Sequence, residues 1–155
     1  MTELNSWSGR PFGAAPPVGP EESFVHAASA GDLNADGLPD LVLCDQQKKT
    51  VAVFVNKGDG TFRRSFLQET GRAPYAVTVG DVNGDGRQDI VVGYLSAVGS
   101  VFFNTSNGTA FREIPWNDGK GEVYEIGIGD VDQDGWPDIV AARSGAASGI
   151  WFNMK

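Results

Sequence analysis

One acidic decapeptide recurs three times at a constant interval: GDLNADGLPD from Gly31, GDVNGDGRQD from Gly80 and GDVDQDGWPD from Gly129. Their first aspartates, Asp32, Asp81 and Asp130, stand 49 residues apart. A period of that length marks one supersecondary unit that cannot bury its own apolar face, so neighbouring units must stack to make a core. The chain is read as a single repeat domain over residues 1–155.

Within each copy, oxygen-bearing side chains fall at positions 1, 3, 5 and 9: Asp32, Asn34, Asp36 and Asp40; Asp81, Asn83, Asp85 and Asp89; Asp130, Asp132, Asp134 and Asp138. Position 6 is glycine every time (Gly37, Gly86, Gly135), which gives a short loop the sharp turn it needs to wrap an ion. Position 7 (Leu38, Arg87, Trp136) shares no side-chain chemistry, so its backbone carbonyl is assigned as a ligand. A hard, all-oxygen set rich in carboxylates, without His or Cys, selects calcium over zinc or copper. About three calcium ions per chain are expected.

The EF-hand loop starts with the same spacing but requires a bidentate Glu at position 12 and flanking helices. Position 12 here is Leu43, Val92 or Ala141, and the residues after position 9 read LVL, IVV and IVA, runs suited to buried strands. The competing reading, Asp/Asn/Gly turns without an ion, would cluster many aspartates with nothing to offset their repulsion.

Each unit reads as four short strands. One precedes the loop (VHAASA, AVTVG, YEIGIG) and one follows it. A third ends at Asn56, Asn104 or Asn153, and a Gly-bearing turn leads to Phe62 or Phe111 and an outer strand (RRSFLQ, REIPW). Four antiparallel strands in about 50 residues describe a β-propeller blade. The expected fold is therefore all-β, a propeller with three blades per chain: residues 1–20 as an outer strand, 21–72 and 73–121 as complete blades, and 122–155 as a third lacking its outer strand.

The GDxNxDGxxD(I/L)V core and the VxxN…GTF hairpin resemble the FG-GAP/VCBS repeats of integrin α-chain and fungal lectin propellers, over nearly the whole chain. The resemblance implies that each acidic loop joins strands one and two of a blade and holds calcium, with ligands bound mostly on the opposite face. The FG and GAP tripeptides of integrin repeats are absent, HAAS, YAVT and YEIG standing near the first. The likeness is thus to the bacterial and fungal branch.

Asn5 to Phe12 (NSWSGRPF) matches Asn104 to Phe111 (NTSNGTAF), so the chain starts inside a hairpin and stops where the same hairpin would follow Asn153. Propellers typically have about 4–8 blades, which disfavours closure of three on themselves. If the N-terminal strand of one chain completes the third blade of another, two chains make a six-bladed ring with two-fold symmetry. A homodimer is expected; three chains or a fragment of a longer propeller are the alternatives.

Composition narrows the rest. With 41% hydrophobic residues and 21 glycines the chain suits a turn-dense all-β fold. A formal charge of −8 argues against nucleic acid, and much of it is ligand charge. No apolar stretch reaches membrane-spanning length, so membrane insertion is not expected. Cys44, the single cysteine, reads as packing within LVLC. The N-terminus, MTELNSW, has no leader pattern; the chain is cytosolic or a leader has been removed, and calcium loops favour a secreted origin. The Pro-rich segment Gly13 to Pro20 reads as an outer strand or crossover.

Two aligned columns fall away from the loops: His26, Tyr75 and Tyr124, and Asp45, Tyr94 and Arg143. With Arg72 and Trp116 they could supply the aromatic platforms and oriented polar groups of a glycan or protein site. The bland reading is that the tyrosines cap a central channel and the charges are solvated. No catalytic motif is present, His26 being the sole histidine. An enzyme would need Asp45 with Glu122 or Glu125 as acid and base. A non-catalytic, calcium-stabilised scaffold or binding module assembled from identical chains is expected, with a lectin as the alternative.

Overall fold

The computed structural model describes residues 17–19 and 23–154. Their 11 strands form three antiparallel sheets, and there is no helix among the described residues, so none that could cross a membrane. The first sheet runs β1 (Val25–Gly31), β2 (Asp40–Asp45), β3 (Thr50–Asn56), β4 (Phe62–Glu69) in that spatial order. The second runs β5 (Pro74–Gly80), β6 (Asp89–Tyr94), β7 (Ala97–Asn104), β8 (Phe111–Pro115), and the third β9 (Glu122–Gly129), β10 (Asp138–Ser144), β11 (Gly149–Trp151). The all-β expectation holds, and each sheet is a meander of consecutive strands. The N-terminal outer strand expected over residues 1–20, and the hairpin at Asn5 to Phe12, lie outside the described residues apart from Pro17, Val18 and Gly19, which are in no strand.

The sheets lie side by side with β1 against β5 and β5 against β9, so the strand before each acidic loop is innermost. Sandwiched sheets explain the sequence runs. All six residues of β6 are buried, as a strand covered on both faces requires, and after Asp89 its IVVG reads as a continuous apolar run.

Two cores result, one at each junction. Leu33, Val42 and Val53 of the first sheet meet Ile90, Val92 and Phe102 of the second. Val82, Val91 and Val101 of the second meet Val123, Ile139 and Ala141 of the third. Fully burying one such aliphatic side chain is worth about 1.5–3 kcal/mol, so the junctions between units contribute substantially to stability, as the period implies. Close approach depends on Gly93, where a Cβ would stand 2.4 Å from Val123 Cγ1.

The innermost strands share an irregularity. Register shifts fall between Val25 and Ala27, between Pro74 and Ala76, and opposite Ala142/Arg143, leaving His26, Tyr75 and Tyr124 as the unpaired bulge residues. A bulge re-aims one side chain without breaking the sheet.

Candidate metal centres

Each acidic loop joins the innermost strand of a sheet to the next, and all three fold through the same hydrogen bonds. In the first, Asp36 N–H donates to Asp32 Oδ1 (3.1 Å) and Asn34 Oδ1 (3.0 Å), and Gly37 N–H to Asp32 Oδ2 (2.8 Å). Leu38 N–H then donates to Asp36 Oδ1 (2.8 Å). The second loop repeats this with Asp81, Asn83, Asp85, Gly86 and Arg87, and the third with Asp130, Asp132, Asp134, Gly135 and Trp136. These side-chain-to-backbone turns curl the chain so that successive acidic residues stay together.

The curl needs left-handed backbone at two places. Gly37, Gly86 and Gly135 have φ of 84°, 82° and 92°, as position 6 requires. Position 4 is also left-handed, at Ala35 (61°), Gly84 (70°) and Gln133 (63°). Ala, Gly and Gln share no signature, so the sequence gives no sign of it.

Position 9 has a second role. Asp40, Asp89 and Asp138 are buried, and each accepts one N–H from loop position 2 (Leu33, Val82, Val131) and one from the asparagine ending the third strand (Asn56, Asn104, Asn153), at 2.9–3.1 Å. Those asparagines were legible only as strand ends, although they recur with the loops. Asn104 Nδ2 donates to Gln88 O and, across the junction, to Leu33 O (2.7 Å); Asn153 Nδ2 donates to Pro137 O and across to Val82 O (2.6 Å). Loop, third strand and neighbouring sheet are thereby tied at one residue.

One loop gathers carboxylates closely enough to hold a cation. In the third loop, carboxylate oxygens of Asp130, Asp132 and Asp138 lie within 4.8 Å of one another, a cluster able to hold a metal ion. Burial pushes the Asp89 carboxyl up to about 6, against the N–H groups of Asn104 and Val82 and with the help of Asp85 and Asp81. Asp40 is raised for the same first reason. Asp138 goes the other way, held down by the N–H groups of Asn153 and Val131. The all-oxygen donor set of the third-loop cluster fits a hard divalent cation. Among the position 7 residues, Arg87 pairs with Asp85 (2.5 Å), and the ring of Trp136 lies over Gly84 of the preceding loop.

The residues expected to form a recognition surface separate into two groups. His26, Tyr75 and Tyr124 make a ladder along the inner rim, far from the loops, with ring centroids 3.7 and 4.8 Å apart; Tyr124 Oη donates to Glu122. The other column does not face solvent as a shared surface. Asp45 is buried and accepts the N–H groups of Phe24 and Lys48, capping a turn. Tyr94 is fully buried in the first core, with Arg72 over its ring at 4.3 Å. Arg72 is in turn committed to Val98 O, Ser100 Oγ and Glu113. Arg143 donates to Ala147 O and Asp118 and lies over Trp151, while Trp116 Nε1–H donates to Val92 O. Their variability reflects burial and local hydrogen bonding, which the column alone did not reveal.

Three stacked meanders, each opening on an acidic loop with a fixed turn network, define an all-β repeat protein whose units carry one acidic loop apiece. The FG-GAP-like repeat model matches residues 32–92 and 81–141, and the chain belongs to that family. No curated protein matches the chain.

Proposed function

We propose that the protein is a non-catalytic, calcium-stabilised β-propeller scaffold or binding module, its sheets serving as blades of a ring assembled from identical chains. The observation that carries this reading is the threefold recurrence of one turn network around clustered carboxylates, Asp130, Asp132 and Asp138 being the tightest. Each ion would be held by the side chains at positions 1, 3, 5 and 9 with the carbonyl of position 7, and would fix the innermost strand to its neighbour. The role is structural, because the aspartates that the loops gather are engaged in ligation and turn formation.

A ligand that binds only the folded state stabilises it by about 2.7 kcal/mol per site at 100 times its dissociation constant. Thermal unfolding in excess EDTA against millimolar calcium tests the proposal. The melting temperature is expected to fall by many degrees on chelation; an unchanged melt would remove calcium from the account.

A second reading, a lectin, is supported by the exposed rings of His26 and Tyr124 beside Tyr75 on the rim opposite the loops. Aromatic faces there suit sugar stacking. Sugar binding that disappears in Tyr124→Ala is its expected mark, and a glycan array without hits would dismiss it.

A further inference from the structure

The two junctions inside the chain follow one pattern, and among the described residues the first and third sheets each carry a half of it that no further sheet covers. On the trailing face of each sheet stand a loop residue and a cross-strand pair: Leu33 with Val42 and Val53, Val82 with Val91 and Val101, Val131 with Val140 and Ile150. The first two trios are buried beneath the following sheet, at 0–5% exposure. Val131, Val140 and Ile150 are 45%, 36% and 42% exposed. Glycines repeat the contrast. A Cβ on Gly31 would meet Val79 and one on Gly80 would meet Ile128, whereas beside Gly129 there is nothing within 4 Å among the described residues.

The complementary half is on the leading face of the first sheet, where a Cβ on Gly19 would stand 3.6 Å from Leu43 and Phe54 and Phe54 is buried, while Leu41 and Leu43 stay half-buried. Ile90, Val92 and Phe102 fill the first junction and Ile139, Ala141 and Trp151 stand at the same positions in the second; Leu41, Leu43 and Phe54 are their counterparts. Leu43, Ala52, Phe54 and Leu67 line a groove of about 330 Å³ there. Among the described residues the hydrogen bond between sheets also has no counterpart at either end. Asn104 and Asn153 each reach the position 2 carbonyl of the preceding sheet, while the side-chain amide of Asn56 is bonded to Pro39 O within its own sheet.

We infer that the trailing face of the third sheet is a docking surface for the leading face of the first sheet in a second copy of this chain. Leu41 and Leu43 of one copy pack on Val140 and Ile150 of the other, Ala30 stands over Gly129, and the Asn56 amide donates to the Val131 carbonyl. The register repeats that of the internal junctions, so no new geometry is required. Two copies joined this way at both ends close a ring with two-fold symmetry. The inference rests on the proposed assembly from identical chains and names the surfaces that effect it.

Sedimentation velocity on the full chain in calcium-containing buffer tests it. The expected result is a two-copy species for the wild-type chain and its loss in Ile150→Glu and in Leu43→Glu, because a charge forced into an apolar junction weakens association by about 100-fold or more. Ile150→Glu decides alone if Leu43→Glu folds poorly, since Ile150 is exposed in the single chain and its circular dichroism should not change. A wild-type chain that stays monomeric overturns the inference together with the assembly reading, and assigns the faces to another protein or to further repeats. A two-copy species that persists in Ile150→Glu overturns only the assignment of these faces. Either outcome is separate from the EDTA melt, which tests the ions.

Discussion

Two residues of the second unit separate what the loops do for the fold from what they do for an ion. Asp85 is exposed, and the Arg87 N–H beside it holds its carboxyl below the usual range. Asn104 is 1% exposed, with its side chain satisfying Leu33 O, Gln88 O and Gly108 N–H. Asn104→Ala strands those buried groups, each worth about 1–3 kcal/mol, and should destabilise the protein by about 2–4 kcal/mol with calcium or with EDTA. Asp85→Ala should lower the EDTA melt only slightly, for the exposed turn bond from Arg87 N–H that it loses, and reduce the calcium-dependent gain. Melting curves of both variants in the two buffers check this; equal losses in EDTA would show that the loop carboxylates are chiefly fold-forming. The ligand spacing was legible because its oxygens alternate along one short segment. Asn104 was not, because its partner Leu33 is 71 residues away and nothing local marks the pairing.

At the scale of elements, strand positions could be read because β-branched runs and Asn/Gly turns are local signals, as in β6 and β10. How the sheets seat on one another is set by contacts between units, so Tyr94 and Arg143 looked like surface variation although one is core and the other covers Trp151. The bulges at His26, Tyr75 and Tyr124 were hidden for the same reason, since a bulge is a property of two strands together. Gly93 shows how tight the seating is. With a Cβ 2.4 Å from Val123 Cγ1, 2.6 Å from its Cβ and 3.3 Å from Ile126 Cδ1, Gly93→Ala should overpack the second junction and cost about 1–3 kcal/mol. Val123→Ala in the same chain should recover part of that loss, giving a favourable coupling in a double-mutant cycle. Additive losses would mean that the sheets shift apart instead of clashing at this pair.

For the whole molecule, the consequence of placing stability between sheets is that folding of the units should be coupled, and Cys44 reports on the coupling. Its thiol is fully buried at the first junction, among Val42, Val51 and Tyr94. Burial pushes its pKa from 9.0 up to about 12, so the reactive thiolate is absent from the folded protein near pH 8. The sign for stability follows: this group is neutral in both states below 9, and its contribution is lost as pH rises from 9 towards 12, where only the unfolded thiol ionises readily. Thiol reagent at pH 8 can therefore reach Cys44 only when the junction opens. If the loops bind ions that brace each sheet, chelation raises the open population, and labelling should be blocked in calcium and accelerate in EDTA by the factor that the lost binding energy sets. The same labelling measured on Asp134→Ala, altered two sheets away in the third loop, distinguishes coupled from independent units. Acceleration there means that loosening the third sheet is felt at the first junction, whereas a rate equal to wild type would show that each junction opens by itself.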